Sequence, residues 1–93
     1  MRRILLQSAA FTRAARRLVK RNPQTAPLLQ GALELLTEDA FRPGLKTHKL
    51  KGDLAGSWAC SVGYDVRIVF EFVSHQGVEA ILLQTIGTHD EVY

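Results

Sequence analysis

Apolar positions keep a helical period in the first half of this chain and a strand period in the second. Phe11, Ala14, Ala15, Leu18 and Val19 fall at i, i+3, i+4, i+7 and i+8. That spacing predicts an amphipathic helix whose outer side carries Arg13, Arg16, Arg17, Lys20 and Arg21. The short run "RRILLQS" before it reads as a first strand, with Ser8 placed to cap the helix by accepting a bond from an unpaired backbone N–H. "NPQTAP" ends that helix; Pro23 and Pro27 suit a first turn, and Asn22 or Thr25 can cap a second helix. Leu28, Leu29, Ala32, Leu33, Leu35 and Leu36 supply its broader stripe, so the pair predicts an αα-hairpin.

After the loop "FRPGLK" the period becomes two. "SWACSV" at 57–62 sets Trp58, Cys60 and Val62 against Ser57, Ala59 and Ser61, and "VRIVFEF" at 66–72 sets Val66, Ile68, Phe70 and Phe72 against Arg67, Val69 and Glu71. "SHQG" predicts a hairpin turn with His75 in it and Gly77 at a positive φ. "VEAILLQTI" at 78–86 is apolar on both faces, as an interior strand is. The expected fold is α+β: an N-terminal strand and an αα-hairpin packed on one face of a small antiparallel sheet, in the order βααβββ, with a short extra strand near residues 46–50. Ser61 and Arg67 then point to the opposite, open face. An arginine there needs a partner, either an acid such as Glu71 or Glu79 or an incoming anion.

With 93 residues the expectation is one domain, residues 1–93. Hydrophobic residues at 46% are enough for a packed core, so disorder is not expected. One cysteine, Cys60, excludes an internal disulfide and fits a cytoplasmic, reducing location. No apolar run reaches the roughly 20 residues a membrane helix needs. Charge divides unevenly: residues 1–33 carry seven Lys/Arg and no acid, residues 34–93 five Lys/Arg and nine acids. A basic front half suits an anionic partner, nucleic acid first, though a solvated helix face explains it as well. Read as a transit peptide, that stretch would leave about 60 residues after removal and half the core gone, so it is taken as part of the fold.

The histidines are His48, in "KTHKLKG" among Lys46, Lys49 and Lys51, His75, and His89 in the terminal "GTHDEVY". No CxxC, HxxxH or glycine-rich phosphate loop is present, so neither a metal nor another cofactor is expected. Ser61, His89 and Asp65 could form a triad on paper, but nothing around Ser61 resembles a nucleophile elbow. Two imidazoles, an arginine and a tyrosine suit RNA cleavage by the substrate's own 2′-hydroxyl. Histidine moves protons near neutrality, arginine neutralises phosphate, and tyrosine stacks a base.

The segments "HKLKGDLAGSWACSVGYDVRIVFEF" and "ILLQTIGTHDEVY" resemble the RelE/ParE superfamily of bacterial type II toxins, most of all the YafQ- and YoeB-like messenger-RNA interferases. The likeness runs over essentially the whole chain. It implies a RelE-like fold and a toxin that cuts mRNA in the ribosomal A site, with a cognate antitoxin and the ribosome as partners. By position it implies active-site roles for His48, Asp65, Arg67, His89 and Tyr93. Arg2, Arg3, Arg13, Arg17, Lys20, Lys46, Lys49 and Lys51 are expected to hold RNA. The chain departs from the YafQ-like pattern at Ser61, where a further histidine is expected, which leaves His48 and His89 as proton carriers. Two other readings stay open: a ParE-like toxin of DNA gyrase, which generally lacks these histidines, and a degenerate module that only binds antitoxin.

Overall fold

The computed structural model describes residues 2–93. Its elements are β1 (Ile4–Gln7), α1 (Ala9–Arg21), α2 (Thr25–Glu38), β2 (His48–Lys49), β3 (Trp58–Val62), β4 (Val66–His75), β5 (Val78–Thr88) and α3 (His89–Val92), with 3₁₀ turns at Pro43–Leu45 and Gly52–Leu54. Ser8 caps α1 as its sequence position suggests: its Oγ accepts the Phe11 N–H at 3.0 Å. The same residue fastens α1 to β5, donating its hydroxyl to the Gln84 carbonyl and its N–H to that of Leu83. α2 begins differently from expectation. Thr25 is its first residue and is buried, Gln24 is the cap, and no side chain makes the capping bond.

The sheet order is β1-β5-β4-β3-β2. β2 through β5 form the expected antiparallel meander, but β1 lies parallel to β5, Ile4 opposite Ala80. The sheet is therefore mixed. The helical hairpin carries the chain from β1 to the far edge, and the meander returns it so that β5 runs alongside β1. The β4–β5 turn is tighter than "SHQG" suggests: only Gln76 and Gly77 turn, both at positive φ, and His75 is the last residue of β4. That is the backbone twist a two-residue hairpin requires.

Phe11, Leu18, Leu29, Ala32 and Leu36 of the helices pack on Cys60, Val62, Ile68, Phe70, Ile81, Leu83 and Ile86 of one sheet face. Each Leu, Ile, Val or Phe side chain among them, removed from water, contributes about 1.5–3 kcal/mol, which fixes the helices to that face. The second face is less open than alternation implies. Ala59 and Val69 are buried there as well, because β5 continues to Thr88 and α3 brings the terminus back towards β2. A register shift beside Val69/Phe70 admits Gln84 as an extra residue of β5. Gln84 binds Ser57 and Glu71 through its side chain, and such a bulge sharpens local twist.

Cys60 faces the core, and burial pushes its thiol from 9.0 up to about 12. Only about one thiol in ten thousand is then ionised at pH 8. Thiol-reagent labelling of the native protein at pH 8 should proceed no faster than global unfolding and become rapid in denaturant. Rapid native labelling would mean that the β3 core is open.

Candidate active site

The site is built on one tight turn. Gly63, at φ +64°, starts the link from β3 to β4, and a Cβ there would sit 3.3 Å from Leu28 Cδ1. Three successive carbonyls then accept hydrogen bonds. Those of Tyr64 and Val66 accept from the Arg67 guanidinium at 3.2 and 3.0 Å. That of Asp65 accepts the backbone N–H of His89 at 2.9 Å. The turn thus fixes the arginine and the start of α3 together.

Arg67 makes no ion pair among the described residues. The two acids proposed as its partners are engaged elsewhere, Glu71 with Gln84 and Glu79 with Arg3. Two carbonyl bonds orient a guanidinium without neutralising it, so its charge is available to an anion. Ser61 lies directly across the β3–β4 ladder from Arg67 and keeps that space clear. Lys46, Ser61, Gly63, Tyr64, Asp65, Arg67, His89 and Asp90 enclose a groove of about 540 Å³.

α3 is held by more than the chain end. Thr88 and Glu91 form a reciprocal capping box, and Glu91 also pairs with Arg21 of α1 at 3.4 Å. Gly87 allows this return: a Cβ there would come within 3.1 Å of Glu91 and 3.2 Å of Val92. The Thr88 backbone N–H, then its hydroxyl, then the Arg21 charge hold the Glu91 carboxyl below its ordinary 4.5. At the end of α3 the Tyr93 ring lies edge-on to His89, centroids 4.6 Å apart, and 6.5 Å from His48. Partial burial raises the Tyr93 phenol, while the nearby Arg67 charge acts in the opposite sense. His89 Nδ1 is 3.5 Å from the Asp90 carboxylate.

Of the residues singled out in the sequence, the structure gathers Lys46, Asp65, Arg67 and His89 around the groove. His48 stands outside its lining and is linked to it through Tyr93. His48 Nδ1 meets the Lys46 carbonyl at 3.0 Å; a carbonyl only accepts, so Nδ1 carries the proton and neutral His48 has a free Nε2. Lys46 itself holds a left-handed conformation, φ 52°. Other cations lie apart. Lys49 covers Trp58, and Arg3 sits over Phe72 and reaches Glu79. Arg2, Arg13, Arg17, Lys20 and Lys51 are exposed. Among the described residues no three His, Cys, Asp or Glu side chains gather as a metal site. Tyr64, Asp90, Glu91 and Gly87 escaped the sequence reading, although "THDE" carries the Thr-x-x-Glu signature of a helix start.

A mixed sheet with a helical hairpin on one face is the arrangement of RelE/ParE superfamily toxins. The E. coli DinJ–YafQ toxin–antitoxin complex contains a chain superposing with TM-score 0.77 at 17% identity, over 100% of this chain and 99% of that one. A YoeB/ParE toxin from Agrobacterium tumefaciens gives 0.76 at 15%, over 92% and 98%. These two speak to fold alone. A metal-bound toxin from Helicobacter pylori gives 0.76 at 28%, over the full length of both chains. No curated protein matches the sequence. Residues 3–93 match the family described as the bacterial toxin of type II toxin–antitoxin system, YafQ, and the chain belongs to that family.

Two substitutions test the scaffold. Gly63→Ala places a Cβ at left-handed φ and against Leu28, and should cost about 1–2 kcal/mol in denaturant unfolding. Glu91 stabilises α3 fully above its unfolded value and loses that contribution as pH falls through its lower folded value. Amide exchange at Thr88, taken relative to the intrinsic rate of an unstructured amide at the same pH, should therefore quicken as the pH drops below 4.5. In Glu91→Ala, which removes the acceptor altogether, it should already be fast at neutral pH and lack that acid step. Unchanged exchange in the variant would show that the capping box does not hold α3.

Proposed function

We propose that this toxin is an endoribonuclease that cleaves mRNA on the ribosome by acid–base catalysis. The carrying observation is Arg67: a guanidinium oriented by two carbonyls, unpaired with acid among the described residues, in a groove shared with His89. A phosphodiester seated on Arg67 would have its charge neutralised as the 2′-oxygen attacks phosphorus. His48, with Nε2 free, takes the 2′-hydroxyl proton, and His89, beside Asp90, gives one to the departing 5′-oxygen. The P–O5′ bond breaks, leaving a 2′,3′-cyclic phosphate and a 5′-hydroxyl. Tyr93, between the two imidazoles, offers its ring to a base and its phenol as a donor.

Ser61 cannot move a proton at neutral pH, so the positive charge falls to Arg67 and Lys46. The exposed cations of α1 hold ribosomal RNA through phosphate contacts that weaken with salt. E. coli YafQ is solved with DinJ as a toxin–antitoxin complex; by extension this chain acts in the cytoplasm and is silenced by a cognate antitoxin.

Expression without antitoxin, followed by primer extension on host mRNA, tests this reading. New 5′ ends should appear with the wild type. His89→Ala should slow cutting by about 10²–10⁴-fold and Arg67→Ala by about 10²–10³-fold. In the purified system His48→Gln should slow cutting by about 10²–10⁴-fold as well. Growth arrest with intact mRNA and broken DNA would replace the nuclease with a gyrase poison.

A further inference from the structure

Tyr64 is 97% exposed, more than any other large apolar or aromatic side chain among the described residues. Among the described residues its ring and hydroxyl have no partner, and it lies on the groove wall with Ser61, Arg67 and His89. Its backbone is tied by its own carbonyl, which receives the Arg67 guanidinium, and it follows Gly63 in a left-handed turn conformation. A tyrosine on fixed backbone has only two free torsions, so it can present a flat apolar surface at small entropic cost. Left in water, that surface contributes nothing to the core.

We infer that Tyr64 is the stacking platform for the nucleobase flanking the phosphate that Arg67 holds, a second aromatic contact distinct from Tyr93. This rests on the ribonuclease reading above. A phosphodiester joins two nucleosides. Tyr93, lying between His48 and His89, addresses one of them. Tyr64 is one carbonyl away from the guanidinium and addresses the other. Stacking accepts any base, so Tyr64 supplies affinity and position with only a modest preference for the larger purines.

The test uses the full chain and a trinucleotide whose first and central sugars are both 2′-deoxy, so that neither phosphodiester has a 2′-hydroxyl to attack it and the probe binds without being cut. In the wild type the Tyr64 ring protons should shift upfield on titration. Tyr64→Ala should weaken binding by about tenfold or more, with Tyr64→Phe and Tyr64→Trp close to wild type. The salt dependence of binding should keep its slope in Tyr64→Ala, because no charge has been removed. On mRNA the same change should raise KM with little effect on kcat. Unshifted ring protons, or equal trinucleotide affinity and KM in Tyr64→Ala, would overturn the inference while leaving cleavage intact. Trinucleotide binding that depends on Tyr64 in a wild type unable to cut mRNA would do the reverse, removing the nuclease and keeping the platform.

Discussion

Three consecutive carbonyls, those of Tyr64, Asp65 and Val66, position Arg67 and His89, on which the rest of the groove is built. The outer two hold one arginine and the middle one holds the first residue of the terminal helix. Carbonyl oxygens orient donors without cancelling charge, whereas a carboxylate in the same place would have made Arg67 a structural ion pair. The turn can do this because Gly63 takes a backbone conformation costly for any residue with a Cβ. Guanidinium and imidazole are thus positioned by a single short loop between two strands of the sheet.

The terminal helix has four residues, too few to be stable alone. It exists because its ends are tied to the sheet and to α1. The capping box satisfies its first turn, Gly87 leaves room for it, and Arg21 meets Glu91 from the opposite side. That last contact joins the basic face of α1 to the element carrying His89. A cation conspicuous in the sequence as part of a charged stripe has a local structural use, while its neighbours Arg13, Arg16, Arg17 and Lys20 stay exposed.

Most of the fold was legible because its signals are periodic. The switch from a spacing of 3.6 to one of 2 marked the helices and strands, and Ser8 and Gly77 marked their ends correctly. What escaped depends on neighbours distant in sequence. The parallel pairing of β1 with β5 follows from the count of strands in the meander, not from anything in "ILLQ". Caps of α2 were misplaced because Thr25 is drawn into the interior. In the candidate site, residue types that do chemistry stood out, whereas Tyr64 did not. An exposed tyrosine is indistinguishable from a buried one until the fold shows which it is. Lys49 shows the converse: it neighbours His48 in sequence, yet strand alternation sends it to Trp58 on the other side.

Alternation also bears on the serine where related toxins are expected to carry a histidine. Ser61 and Arg67 are cross-strand partners, so their side chains share one face at close range. A protonated imidazole at position 61 would repel the guanidinium across that pair and crowd the groove; a serine does neither. The arrangement is then self-consistent as it stands: one fixed cation opposite a small neutral side chain, with the imidazole of His89 on the same groove and that of His48 beyond Tyr93. A neutral side chain at position 61 and the freedom of Arg67 are thus two aspects of the same local solution.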